Sequence, residues 1–371
     1  MASKRYRFAL IGYGGRAREH ALWLKQLKHQ CVAICDTKLP NDDEKNQLGG
    51  RFYHDYRDLL KQEDGLDFVV IASQEVQHVP QALASLKRGI PVYLEKAVSN
   101  TWRGAVKLYR ETIEHQYPLF IGYNLRRFQA CHATKRLLDR GAIGTVQSVL
   151  GHCNAGTGWG SNVMLRKYYA DAALSGDIVV TKLTHDTDWI QHALSTRVVD
   201  CTATAERNTW TGRPVNDVSA GYLERDNSIL NLTSHDVCCC TGNLDCGAVY
   251  TVLFTTTGPD YERRFVFSGS SGQITCIAHT SRPGAERASV ELWPLNGKPR
   301  KIKLPNAGGG HGGADPATRR EFLRWLRAGH QEPSDPESIL LGMIIPTAAL
   351  ESARTGRRID CARRLQSARR F

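Results

Sequence analysis

No stretch of this 371-residue chain approaches the roughly 18 consecutive apolar residues that cross a bilayer, so no membrane partner is expected. The opening MASKRYRFALIGYGG passes directly from basic residues into a strand-like run and a glycine turn. It has neither the apolar core nor the small-residue cleavage site of a secretory signal, and a cytoplasmic location is expected. There is no CxxC pair among the eleven cysteines, and DVCCCTGNLDCG fits no zinc-ligand spacing. No metal is expected, and the cysteines read as reduced, partly buried thiols. The NLT at 231–233 fits a glycosylation acceptor that a cytosolic chain would not use. No internal repeat is visible, and only NAGGGHGGAD is of low complexity; it reads as a loop.

What the chain has in excess is positive charge: 49 Lys and Arg against 37 Asp and Glu, a formal net charge of +12. No helix-turn-helix, zinc finger or aromatic RNA-binding signature accompanies it, and apart from RTGRRIDCARRLQSARRF the basic residues are dispersed. That pattern points away from nucleic acid and towards dinucleotide phosphates or anionic small substrates. The length argues for two domains, and 41% hydrophobic with 23% charged residues is a globular composition.

The first third carries a dinucleotide-binding pattern. A short apolar run, Phe8 to Ile11, leads into Gly12-Tyr13-Gly14-Gly15-Arg16-Ala17, the spacing G-x-G-x-x-A, and then into a helical pattern. Gly12 serves the tight turn, Gly14 the close approach of a pyrophosphate, and Ala17 the packing of helix on strand. The phosphates would meet the free N–H groups of that helix. About 20 residues later CVAICD ends in Asp36, placed to accept the ribose hydroxyls and to repel a 2′-phosphate, which favours NAD over NADP. Helical and strand patterns then alternate through YHDYRDLLKQ, LDFVVIAS, HVPQALASLKRG, IPVYLEK, TWRGAVKLYRETIEH and YPLFIGYN. This implies right-handed βαβ units and a parallel sheet. Ser73, Glu95-Lys96 and Tyr123-Asn124 fall where such strands end, which is where such sheets bind ligands. Beyond Asn124 the pattern changes. LRRFQACHATKRLLDRGAIGTVQSVLGH reads as helix, turn and strand. VDCTATAE, AGYLERDNSILNLTSH, AVYTVLFTTT, RRFVFSGSSGQITCIAH and ASVELWPL then predict a largely antiparallel sheet in an α+β domain. DPATRREFLRWLRAG and PESILLGMIIPTAALESART read as helices.

The ordered set IGYGGRA, ICD, YLEKAVSN, GYNLRRF, LLDRGAIGTV, SGDIVVTKLTHDTDWIQH, FSGSSGQI and HGGADPATRREFLRWLRAG resembles the Gfo/Idh/MocA oxidoreductases (glucose–fructose oxidoreductase, inositol dehydrogenase and relatives) nearly end to end. The resemblance implies an α/β N-terminal Rossmann domain at 1–123. An α+β C-terminal domain with a large, mostly antiparallel open sheet would follow at 124–371, its last helix packing back on the Rossmann domain. It further implies bound NAD or NADP, a sugar or cyclitol substrate, and a homodimer or homotetramer formed through the sheet face. Lys96 matches the family's catalytic lysine and Glu95 the residue near the cofactor ribose, while Ala97 stands where the family has proline. His185 matches the catalytic histidine. Four residues before it, the family's aspartate is replaced by Thr181, with Lys182 beside it. Tyr13, Gly15, Arg16, Ser73, His78 and Asn124 complete the expected cofactor contacts, His78 being otherwise a helix cap or an exposed residue.

If VVTKLTHDTDWIQHAL is helical, Lys182, His185 and Asp186 share one face with Trp189, either as a ligand face or as a solvated one. Oxidising a secondary alcohol requires a group to take the hydroxyl proton and a donor to polarise the nascent carbonyl. Lys96 is assigned as donor and proton shuttle, His185 as general base or relay, and Lys182 as an orienting or pKa-tuning residue. Arg126, Arg166 and Tyr168, with Thr181, are candidate substrate contacts, the arginines otherwise forming surface ion pairs. His311 is either a residue of a closing loop or part of a plain flexible one. Three functions stay open: an NAD-dependent dehydrogenase of a sugar, cyclitol or sugar acid; an NAD-assisted glycosidase or lyase that oxidises a sugar carbon transiently; and a non-catalytic NAD- or sugar-binding regulator.

Overall fold

Strand β1 (Arg7–Ile11) is buried along four of its five residues, as a parallel strand covered on both faces must be. The computed structural model describes residues 4–38, 43, 47–212, 232–305, 308, 310–329 and 334–370. The chain forms two compact units. One comprises Met1–Ser99, Arg103–Gly122 and Thr318–Leu340; the other comprises Asn100–Trp102, Tyr123–Ala317 and Leu341–Phe371.

In the first unit β1 joins β2 (Gln30–Cys35), β3 (Arg51–Tyr53), β4 (Phe68–Ile71), β5 (Val92–Leu94) and β6 (Leu119–Ile121) in a parallel sheet of order β3-β2-β1-β4-β5-β6. Helices α1 (Gly15–Gln26), α2 (Tyr56–Gln62), α3 (Glu75–Leu86) and α4 (Trp102–Glu114) alternate with the strands. The strand order reverses between β1 and β4, and ligands of such sheets bind at that switch point. All six helix and strand segments expected after β2 are present; β3, three residues long, was not anticipated. The helix foreseen in DPATRREFLRWLRAG runs over Ala314–Arg327. Its Phe322, Leu323 and Trp325 enter the core of the first unit with Phe8, Phe68, Tyr93 and Phe120. Phe322 meets Phe68 and Tyr93 edge-on, at centroid separations of 5.0 and 5.3 Å. Each such pair adds about 0.5–1.5 kcal/mol beyond the area it buries. The last helix, Cys361–Arg369, lies in the second unit against the strand Asp200–Glu206.

The second unit holds a nine-stranded sheet made of β7 (Val146–Asn154), β8 (Asp200–Glu206), β9 (Val237–Asn243), β10 (Val249–Thr255), β11 (Glu262–Gly269), β12 (Gly272–Thr280), β13 (Ser289–Pro294), β14 (Arg300–Lys301) and β15 (Ile359–Asp360). Their order is β14-β13-β12-β11-β7-β10-β9-β8-β15. β10 runs parallel to β7, and the other described pairs are antiparallel. Helices α5 (Gln129–Asp139) and α9 (Ile178–Leu194) pack against one face, with the short α6 (Thr157–Met164), α7 (Lys167–Ala170) and α8 (Ala172–Ser175) between them in the chain. The opposite face leaves Leu150, Val249 and Trp293 exposed. The cysteine run belongs to β9: Cys238 and Cys240 point into the core and Cys239 to the other face, and all eleven thiols are free. Most of the strand expected in AGYLERDNSILNLTSH, together with Asn231 of NLT and part of NAGGGHGGAD, lies outside the described residues. Among the described residues no helix is long and apolar enough to cross a membrane, and no group of three or more His, Cys, Asp or Glu is arranged to hold a metal.

Candidate functional site

The turn after β1 is built for a dinucleotide. Gly12 has φ +90°, and a Cβ there would lie 2.6 Å from the Ser73 nitrogen, so only glycine fits. Gly14 and Gly15 have nothing within 4 Å of where a Cβ would stand, which leaves room for a phosphate against the backbone. Helix α1 begins at Gly15 with no capping side chain and no acid in its first turn, so its leading N–H groups are suited to an anion. Asp36, at the end of β2, accepts from the Tyr13 N–H at 2.6 Å and the Lys38 N–H at 3.0 Å, which fixes its carboxylate beside the turn. These residues fit NAD.

The ends of β4 and β5 supply the chemistry. Ser73 donates its hydroxyl to Gln81 at 2.6 Å. His78 is buried, neither a cap nor exposed: its two ring nitrogens lie 2.7 Å from the Ala97 carbonyl and 3.1 Å from the Ser73 carbonyl. A neutral ring has a single N–H, so His78 donates to one of these two carbonyls, and the ring lies between the two strand ends. Lys96 follows Glu95 at the end of β5 and is half-buried; the Lys96–Ala97 peptide is cis.

Glu95 sits in a closed ring of side chains. Its Oε1 accepts from Arg16 at 3.0 Å and from His20 Nε2 at 2.8 Å, and its Oε2 from the Lys96 N–H at 3.3 Å. Arg319 donates to His20 Nδ1 at 3.1 Å and reaches Glu19 at 3.5 Å, while Arg16 reaches Glu19 at 2.6 Å. A guanidinium has only donors, so His20 Nδ1 must accept, and Nε2 carries the proton given to Glu95. Burial alone would raise the Glu95 pKa, but Arg16, His20 and Lys96 together hold it well below the usual carboxylate range. His20 is held below its ordinary value, mainly by burial and further by the charges of Arg319 and Arg16, against the pull of Glu95.

In the second unit α9 carries the other predicted group and is buried on almost every side, so the solvated alternative for this face does not hold. Asp177 caps the helix at Val179 and also accepts from His235 Nδ1 at 2.7 Å. Thr181 donates to the Asp177 carbonyl at 3.4 Å. The Lys182 ammonium lies 3.7 Å from the centroid of the Trp159 ring. His185 is buried, its ring 6.5 Å from that of Tyr123. Asp186, expected on a ligand or solvated face, instead forms an ion pair with Arg263 at 2.9 Å, both side chains nearly inaccessible. Arg126 is bidentate on Asp188, at 2.8 and 2.5 Å, so the fork expected to meet substrate is already occupied. Asn124 donates to Asp315 at 2.6 Å, and His311 Nδ1 donates to the other oxygen of the same carboxylate at 2.6 Å. His311 has φ 50°, ψ 47°, a left-handed backbone conformation, within the short segment Gly310–Gly313. Arg166 and Tyr168 are half-buried, with Tyr168 edge-on to Tyr169 at 5.0 Å. A groove of about 830 Å³ in this unit, lined by Phe128, His279, Arg287 and Gly312 among others, includes none of the predicted site residues.

The first unit thus gathers Gly12 to Ala17, Asp36, Ser73, Glu95 and Lys96 at strand ends, and the second places Thr181, Lys182 and His185 on one buried helix. The sequence reading missed His20, Arg319, Trp159, His235 and the carboxylates that occupy Arg126 and Asn124. A weak signal existed for His20 alone, which falls one helical turn after Arg16.

Sheet order, glycine turn and acidic β2 end define a dinucleotide-binding fold in the first unit, and the second unit is built on an open sheet. Residues 6–123 match the oxidoreductase family with an NAD-binding Rossmann fold, and residues 131–275 match the GFO/IDH/MocA C-terminal domain. The chain is 28% identical over 292 residues to inositol 2-dehydrogenase 2 of Saccharopolyspora erythraea, covering 72% of this chain and 76% of that protein. It is 33% identical over 110 residues to an alpha-N-acetylgalactosaminidase of Tannerella forsythia, covering 26% of this chain and 23% of that one. A levoglucosan dehydrogenase, in complex with NADH and levoglucosan, shares the fold at a TM-score of 0.79 and 16% identity, over 96% of this chain and 100% of that one. The chain belongs to the Gfo/Idh/MocA family and is an NAD-binding oxidoreductase.

Proposed function

We propose that this protein is an NAD-dependent dehydrogenase acting on a secondary hydroxyl of a sugar, cyclitol or sugar acid. What carries the reading is the placement of Glu95 and Lys96 at the end of β5, in the same unit as the Gly12 turn, with Glu95 held ionised by its neighbours. The names of the inositol and levoglucosan dehydrogenases support the substrate class. When bound, NAD supplies the hydride acceptor. The chain supplies the rest. Asp36 accepts the adenosine ribose hydroxyls, and Glu95 accepts a hydroxyl of the nicotinamide ribose. The Lys96 ammonium donates a hydrogen bond to the oxygen that becomes a carbonyl and keeps its own proton. His185 takes the hydroxyl proton, and Lys182, held against Trp159, orients the polyol.

The test is turnover of a panel of polyols, followed at the nicotinamide absorbance band, by the wild type and by Lys96→Ala. The variant should bind NADH normally and lose about 10²- to 10⁴-fold in kcat. Undiminished turnover at normal fold and NADH affinity would remove Lys96 from the chemistry.

A second reading, NAD-assisted cleavage of a glycoside, is supported by the similarity to the galactosaminidase and by the absence of an acid at Thr181. Cleavage of a glycoside with retained NAD and no net NADH would select it. The exposed sheet face around Leu150, Val249 and Trp293 also fits a homo-oligomer contact. Leu150→Glu should then lower the mass measured by light scattering.

A further inference from the structure

The ring around Glu95 is electrically closed: two guanidiniums, Arg16 and Arg319, alternate with two carboxylates, Glu95 and Glu19, and a neutral imidazole, His20, completes it. Reversing the His20 tautomer would set its Nδ1–H against the Arg319 N–H and its bare Nε2 against a carboxylate oxygen. In a side chain only 2% exposed, both contacts would be repulsive with no water to relieve them. Arg319 and Glu95 therefore jointly select the Nε2–H form. The two oxygens of Glu95 are loaded unequally. Oε1 takes two side-chain donors, while among the described residues Oε2 takes only the Lys96 N–H at 3.3 Å and keeps acceptor capacity.

We propose that His20 and Arg319 are positioning residues for the cofactor end of the site: Arg319 sets the tautomer of His20, and His20 pins Oε1 of Glu95 so that Oε2 is held ready to accept a hydroxyl of the bound dinucleotide. The inference rests on the contact between Glu95 and NAD assigned above. It extends that contact to a residue more than two hundred positions away in the chain, on the same helix as the aromatic residues that enter the core of the first unit. Because the Lys96 N–H donates to the same carboxylate, the pinning also restrains the backbone that carries the Lys96 amine.

The test is a double-mutant cycle on NADH affinity, read by nicotinamide fluorescence and needing no substrate. Arg319→Met and Glu95→Gln should each weaken NADH about tenfold, and the double variant should be no more than about twofold weaker than Glu95→Gln alone. His20→Phe, which keeps the ring packing on Tyr93 but has no donor, should behave like Arg319→Met. His20→Gln, whose amide restores a donor to Glu95, should return to within about threefold of wild type. Nitrogen-15 spectra of labelled histidine should show His20 protonated on Nε2 in the wild type and a shifted, mixed signal in Arg319→Met. Losses that multiply in the double variant would overturn the proposal, as would a wild-type His20 protonated on Nδ1. If Arg319→Met does not fold, the pair His20→Phe and His20→Gln in the Glu95→Gln background completes the same cycle. A protein inactive on every polyol would count against the dehydrogenase reading while leaving this cycle fully readable.

Discussion

Asp186 stands next to His185 in THDTDW, and its position invites a role in substrate chemistry; the buried partner Arg263 says otherwise. Asp186→Asn would leave a guanidinium, 5% exposed, without its counter-charge. Burial lowers the Arg263 pKa, but Asp186, with Tyr261 and Cys153, more than offsets it, so the arginine stays charged and cannot escape the penalty by losing a proton. Removing one partner of such a pair costs about 3–5 kcal/mol. For a unit of this size each kcal/mol moves the midpoint by about 2–4 °C, so the transition should fall by about 6–20 °C. Replacing both residues by apolar ones of similar volume, Asp186→Leu with Arg263→Met, should recover most of that loss or exceed wild type. The assay is thermal unfolding together with hydrogen exchange of peptides from Ile178–Leu194 and Glu262–Gly269, which assigns the loss to the right unit. An Asp186→Asn protein within about 1 kcal/mol of wild type but impaired in turnover would refute the reasoning and return Asp186 to the chemistry.

The other predictions follow from contacts already given. Asp36→Ser should weaken NADH about tenfold and bring NADPH to within about tenfold of it, measured by fluorescence titration; an unchanged ratio would detach Asp36 from cofactor choice. Trp159→Leu removes the ring under the Lys182 ammonium, worth about 0.5–2 kcal/mol, and should slow turnover by about 2- to 30-fold in the wild type but not in a Lys182→Met background. His20 and His78 are both held below their ordinary pKa, mainly by burial, so the folded state binds fewer protons than the unfolded chain. Their contribution is complete above about pH 6.5 and declines as the pH falls below it, with Glu95 adding a further loss below the ordinary glutamate range. Urea midpoints from pH 8 to pH 5 should therefore drop, and less steeply in His20→Gln/His78→Gln; equal slopes would falsify the assignment.

Much of the first unit was readable because its signals are local. A glycine turn, an acid at the end of the next strand and apolar runs of four or five residues need no knowledge of distant partners. The strand Arg51–Tyr53 escaped because three residues carry no periodicity, and two glycines before it read as loop. In β9 the alternation was hidden by chemical sameness: three consecutive cysteines show no polar–apolar pattern, yet Cys238 and Cys240 face inward while Cys239 faces the other way, as in any strand. Site residues divided along the same line. Gly12, Asp36, Glu95 and Lys96 are placed by the strand each terminates. Arg126 and Asn124 were read as ligand contacts because their partners, Asp188 and Asp315, lie 62 and 191 positions away respectively. The helix at Ala314–Arg327 was legible as a helix, but an apolar stripe does not name the surface it will cover.

That helix has a consequence for how the protein is made. Translation delivers the six parallel strands first, yet Phe322 and Trp325, which complete their packing, emerge some two hundred residues later. At about 5–20 residues per second the ribosome leaves that aromatic surface uncovered for about 10–40 s. The nascent chain is therefore expected to depend on chaperones during that interval, and a fragment ending near Gly122 should aggregate rather than fold.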